Sequence, residues 1–237
     1  EAQLEAAAAL HRLHPECHIQ THLSESRREI EAVAALFPDA VDYTDVYDRF
    51  GLLTDKSLFG HAIHLSARER ARLAESGSVA VHCPTSNLYL GSGLFDWQGA
   101  RASRQCVALA SDVGAGTSYS MLQTLNEAYK VQKLQGASLP PLEAFHAVTL
   151  GNAEALGLGH LIGSFRPGRE ADFVVLDAAA TPAMAHRMER AQSIEDELFV
   201  LMTMGDDRAV AATYIMGERF IPERAGAASP PEPGMSF

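Results

Sequence analysis

Val79-Ala80-Val81-His82-Cys83-Pro84 is a short apolar run that stops abruptly at polar and conformationally restricted residues. An apolar run without alternation fits a strand buried on both faces of a parallel sheet. The same shape recurs along the chain. Ile19-Gln20-Thr21-His22-Leu23-Ser24-Glu25 and Leu58-Phe59-Gly60-His61 come before it, and Val107-Ala108-Leu109-Ala110-Ser111-Asp112 follows. Each run delivers its polar cluster at the C-terminal end.

Helical signals fill the gaps. Residues 1–14 are rich in Ala, Leu and Glu and read as a helix. Ser26-Arg27-Arg28-Glu29 and Ser66-Ala67-Arg68-Glu69 each have the Ser-x-x-Glu form of a capping box, in which side chains satisfy the free amides of a first helical turn. The spacing predicts helices through residue 35 and to Gly77, a long helix over 121–135, and another opening at Pro140-Pro141, since proline is tolerated in a first turn. Strands are expected at 17–21, 57–60, 79–81 and 106–110. Strand followed by helix, repeated, gives a parallel α/β architecture. The steps from His22 to His61, His82 and Asp112 are roughly 40, 20 and 30 residues, near the ~30 per unit of an eight-unit barrel.

The texture changes near Gly163. Ala171-Asp172-Phe173-Val174-Val175-Leu176-Asp177 is a strong strand, and residues 209–214 and 219–221 around Met216-Gly217-Glu218 read as a hairpin. The expected organisation is a barrel portion over 1–162, a β-sandwich segment over 163–224, and a loose tail over 225–237.

Composition excludes several functions. A formal net charge of −11 with no basic run disfavours nucleic acid, whereas a neutral or cationic small substrate fits. Three irregularly spaced cysteines support neither a disulfide framework nor a thiolate zinc knuckle, so a reducing cytoplasm is the expected compartment. No apolar stretch approaches the ~18–20 residues that span a bilayer, and the first residues show no secretion signal.

The strand-end residues carry the chemistry. His22 and Glu25 place an imidazole and a carboxylate three residues apart. Neutral imidazole ligates zinc, and a nearby unligated glutamate moves protons. Alone, the pair also describes a buried histidine beside a glutamate that favours a helix start. Taken alone, His61 reads as a satisfied core histidine, and His64, past the strand end, reads as a loop residue or one that supports the site from behind. Asp112 is either a rim carboxylate or a helix N-cap. The polar groups of His82-Cys83-Pro84-Thr85-Ser86-Asn87 can bind substrate, brace ligands or satisfy loop backbone, and Cys83 fits a small core residue. A barrel collects its active-site groups from successive strand ends, which accounts for all four clusters together.

Over residues 15–220 the chain resembles the C-terminal part of the guanine deaminases, within the metal-dependent amidohydrolase superfamily. The resemblance rests on Thr21-His22-Leu23-Ser24-Glu25, on the stretch from His82-Cys83-Pro84-Thr85-Ser86-Asn87 to Phe95, and on Ser111-Asp112-Val113-Gly114-Ala115-Gly116-Thr117. It also rests on Gly163-Ser164-Phe165-Arg166-Pro167-Gly168 leading into the strand at 171–177. It implies the C-terminal half of a (β/α)8 TIM-like barrel followed by strands of a small β-sandwich. By the same resemblance His22, His61 and Asp112 are metal ligands or metal-proximal groups. His61 orients or ligates the attacking hydroxide, Asp112 takes a proton from the bound water, and Glu25 relays protons to the purine ring; from the third cluster, Asn87 is the candidate for contacting substrate beside Glu25. The implied cofactor is Zn2+, with Fe2+ an alternative for the same ligands. The implied reaction is hydrolysis of guanine to xanthine and ammonia, in a homodimer.

The family also carries a His-x-His pair on the first barrel strand, and no such pair occurs here. His18 and His22 on one strand stand about 13 Å apart, too far to share an ion. The chain is therefore expected to be the second half of a longer enzyme, neither holding zinc tightly nor deaminating guanine alone. Related aminohydrolases or chlorohydrolases acting on adenosine-like, cytosine or triazine substrates use the same metal logic. A non-catalytic interaction module is the competing class.

Overall fold

Four strands, β1 (Ile19–Leu23), β2 (Ser57–His61), β3 (Val79–His82) and β4 (Cys106–Leu109), lie side by side in chain order in a computed structural model that describes residues 1–221. All three pairings are parallel, with His22 opposite Gly60, Leu23 opposite His61, and His82 opposite Leu109. All four strands therefore end at one rim. Parallel neighbours need crossovers, which α1 (Ala2–Leu13), α2 (Arg27–Leu36), α3 (Tyr43–Arg49), α4 (Ala67–Ser76), α5 (Pro84–Leu90) and α6 (Trp97–Ala102) supply or flank. Both expected capping boxes form, at Ser26/Glu29 and Ser66/Glu69.

The two faces of the sheet differ. Phe59, Ala80 and Val107 align across β2, β3 and β4 and join Leu23, Leu73 and Leu125 in the main core under the helices. Burying a side chain such as Phe59 stabilises by about 1.5–3 kcal/mol. Leu58, Val79, Val81, Cys106 and Ala108 form a second cluster on the opposite face, closed by Ala155.

After β4 come α7 (Met121–Leu134) and α8 (Pro141–His146), which runs through a π-helical turn (Ala147–Gly151) into α9 (Asn152–Ala155). The Asn152 side chain reaches the outer edge of β4. Its Oδ1 accepts from the Leu109 N–H and its Nδ2 donates to the Leu109 carbonyl, both at 2.9 Å. Asn152→Ala leaves both backbone groups without these partners. The expected cost is roughly 1–3 kcal/mol, read as a lowered thermal midpoint of the complete gene product; an unchanged midpoint would show that water replaces the amide at no cost.

The second sheet is antiparallel, in the order β5 (Phe173–Leu176), β6 (Val210–Ile215), β7 (Glu218–Phe220). Met216 and Gly217, at φ 51° and 82°, make the two-residue turn of the expected hairpin. Phe173 stacks on Tyr214 at 4.4 Å.

Two differences from the sequence reading stand out. The first strand begins at Ile19, because residues 14–17 form a turn held by Cys17 N–H to the His14 carbonyl. The segment expected to be β-rich also holds two helices, α10 (Pro182–Met188) and α11 (Ile194–Met204). α11 docks on α7: Asn126 Nδ2 donates to the Thr203 carbonyl at 2.8 Å, and Phe199 meets Tyr129 edge-on at 5.4 Å. The tail expected over 225–237 lies outside the described residues. No helix among the described residues is long and apolar enough to cross a membrane.

Candidate metal centre and the family of the chain

The rim gathers His22, Glu25, His61 and Asp112 from the ends of β1, β2 and β4. Ligand atoms of His22, Glu25 and His61 lie within 4.8 Å of one another, and so do those of His61, Cys83 and Asp112. His61 belongs to both groups. Its Nε2 stands 3.6 Å from Glu25 Oε2 and 3.9 Å from Asp112 Oδ2. The His22 and His61 rings meet edge to face at 4.9 Å.

Gly60 makes room for this arrangement. A Cβ there would come within 3.3 Å of His22 Cδ2, so the ring of one strand lies against the bare backbone of the next. Tyr47 fixes the other side of β1, its hydroxyl donating to the His22 carbonyl at 3.0 Å. Ser24, His61, Ala62 and Asp112 have φ of 50°, 68°, 46° and 50°, four of the six non-glycine residues with positive φ among those described. Each such backbone costs on the order of 1–3 kcal/mol. The strain is concentrated where the polar groups converge.

Asn87, on α5, has no exposed surface, and its Oδ1 lies 2.8 Å from His61 Nδ1. An amide oxygen only accepts, so the proton of a neutral His61 sits on Nδ1 and the Nε2 lone pair faces the two carboxylates. Expected as a substrate contact, Asn87 lies in the interior as a partner of His61. Thr85, from the same helix, donates to the Ser111 carbonyl at 3.0 Å, next to Asp112. His82 is fully buried, stacks on Phe95 at 4.6 Å, and finds no hydrogen-bond partner among the described residues on either ring nitrogen. Burial, aided by the proximity of His61, pushes its pKa down to about 3, so it stays neutral. Burial, with a contribution from the Asp112 charge, pushes the Cys83 thiol up to about 12, which keeps it protonated.

The donor set fits a cation. An imidazole lone pair facing two carboxylates is unfavourable until a positive charge lies between them. Two donors about 2.1 Å from one tetrahedral zinc stand roughly 3.4 Å apart. The 3.9 Å between His61 Nε2 and Asp112 Oδ2 approaches that value and is too long for a hydrogen bond.

A parallel sheet that brings imidazole and carboxylate donors to one rim is the arrangement a metal-dependent hydrolase needs. The amidohydrolase family model matches residues 1–220, and the chain belongs to that family. It is 48% identical to guanine deaminase of Escherichia coli over 222 residues, covering 94% of this chain and 50% of that protein. The E. coli guanine deaminase structure superposes with a TM-score of 0.91 at 47% identity, over 94% of this chain and 52% of that one. Guanine deaminase from C. acetobutylicum with bound guanine gives 0.83 at 27% identity, over 92% and 52%. An adenosine deaminase from Xanthomonas campestris with bound zinc gives 0.81 at 26% identity, over 92% and 48%. The chain spans about half the length of the curated relatives it matches.

Proposed function

We propose that the protein carrying this chain hydrolyses guanine to xanthine and ammonia, with His22, His61 and Asp112 holding a zinc ion and Glu25 moving protons at the purine. The observation that carries the reading is the convergence of Glu25, His61 and Asp112 at one rim, in a chain 48% identical to a guanine deaminase. Zinc rather than iron is favoured by the His/carboxylate donors and by the zinc bound in the adenosine deaminase relative. Domain limits at 1–162 and 163–224, a homodimer, and a cytoplasmic location for a chain with three free cysteines complete the reading.

The residues divide the work. When bound, the ion supplies a water acidic enough to act as nucleophile near neutral pH. Asp112 would help to hold the ion and would take up the proton that the attacking water gives up. His61, its Nδ1 proton committed to Asn87, turns its Nε2 toward the same space. Glu25 delivers a proton to the ring nitrogen beside the amino-bearing carbon. The proton taken up by Asp112 then passes to the amino group, which leaves as ammonia.

The test is ammonia release from guanine by the complete gene product, with adenosine, cytosine and a triazine as comparisons. Turnover selective for guanine is expected, and selective turnover of another substrate would overturn the assignment. Dialysis against a zinc chelator is expected to abolish turnover and added zinc to restore it.

A further inference from the structure

The loop that follows α5 touches the site from a position far along the chain. Ser92 Oγ lies 2.8 Å from Glu25 Oε1, 67 residues away in sequence. A carboxylate only accepts, so the serine hydroxyl donates. The other oxygen, Oε2, is the one that stands 3.6 Å from His61 Nε2. The end torsion of a glutamate is broad and nearly twofold, so without an anchor the two oxygens interchange freely. The Ser92 hydrogen bond removes that equivalence.

The anchor is itself held. The Ser92 N–H donates to the Asn87 carbonyl at 2.9 Å, and the Ser92 carbonyl accepts from His64 Nε2 at 2.8 Å. Gly93, at φ 141°, follows at once. A Cβ there would lie 3.0 Å from Ile63 Cγ2 and 3.1 Å from His64 Cε1, so only glycine lets the loop close on these side chains. Glu25 is fixed from its own side too, its N–H donating to Glu29 Oε2 at 2.7 Å in the helix cap. Both ends of the Ser92–Glu25 contact are set before any substrate arrives, the condition under which positioning contributes to rate.

We infer that Ser92 is a positioning residue for proton transfer: it ties up Glu25 Oε1 and leaves Oε2 as the single oxygen that carries protons between water and the purine. The inference rests on the guanine deaminase reading. It also gives His64 a task, as the brace of the loop that presents Ser92.

The test uses Ser92→Ala, Ser92→Thr, Glu25→Gln and the double variant Glu25→Gln/Ser92→Ala, all in the complete gene product. Ser92→Ala is expected to lower kcat for guanine about tenfold, with KM within about twofold, unchanged zinc per protomer and a larger solvent isotope effect. Ser92→Thr, which keeps the hydroxyl, is expected to recover most of kcat. Added to Glu25→Gln, the serine change should cost less than about twofold, because no carboxylate remains to be oriented. A crystal structure of Ser92→Ala is expected to show the Glu25 carboxylate in more than one orientation. Wild-type kcat in Ser92→Ala, an equal loss from Ser92→Ala whether or not Glu25→Gln is also present, or loss of zinc would each overturn the inference. If the wild-type protein does not deaminate guanine, the functional reading fails by itself, and the Glu25 orientation in the variant crystal still decides the structural claim.

Discussion

Glu25→Gln is expected to lower kcat for guanine by roughly 10²- to 10⁴-fold, the range over which a positioned acid–base group contributes. The substitution is nearly isosteric. The glutamine carbonyl can still accept from Ser92, and the Glu29 carboxylate still holds the backbone of residue 25. Zinc content and thermal midpoint should therefore match wild type, which separates loss of a proton carrier from loss of structure. A variant that turns over guanine at the wild-type rate would remove Glu25 from the mechanism.

The second large effect is expected at Asp112. Its backbone sits at φ 50°, which aspartate and asparagine tolerate better than other side chains. Asp112→Asn is thus the informative change, and Asp112→Ala would add backbone strain to the loss of a ligand. Asparagine removes the negative charge that offsets the cation and the carboxylate that takes the water's proton. Loss of an outer partner of a metal ligand costs about 10- to 100-fold in affinity or activity, so loss of a direct ligand should exceed roughly 100-fold in kcat/KM. Zinc per protomer, measured after dialysis, should fall in parallel. Retained zinc together with full activity would exclude Asp112 as a ligand.

The strand-end pattern made much of this fold readable. Local signals alone locate β2, β3, β4, both capping boxes and the final hairpin, because short apolar runs and Ser-x-x-Glu boxes act within a few residues. α10 and α11 were less visible in a segment that reads as β. Yet Thr181-Pro182 and Ser193 with Asp196 are ordinary helix starts, and both cap hydrogen bonds form. His22, Glu25, His61 and Asp112 are legible because each ends an apolar run. Asn87 and Ser92 are not. Their partners lie 26 and 67 residues away, and nothing in Pro84-Thr85-Ser86-Asn87-Leu88-Tyr89-Leu90 tells an amide aimed at substrate from one aimed at a neighbouring histidine. That distinction exists only once the strands are side by side.

The amide of Asn152 has a consequence beyond stability. Leu109 is the last residue of β4, three before Asp112, so whatever holds its backbone also holds the strand end from which that carboxylate departs. At the rim end of β4 both groups of Leu109 are already occupied, by a side chain that imitates a neighbouring strand for the length of one residue. Asn152 thus clamps the root of the segment that leads to Asp112 onto the helical run after α8, and its removal should show as slack in the position of that carboxylate as well as in the melting curve.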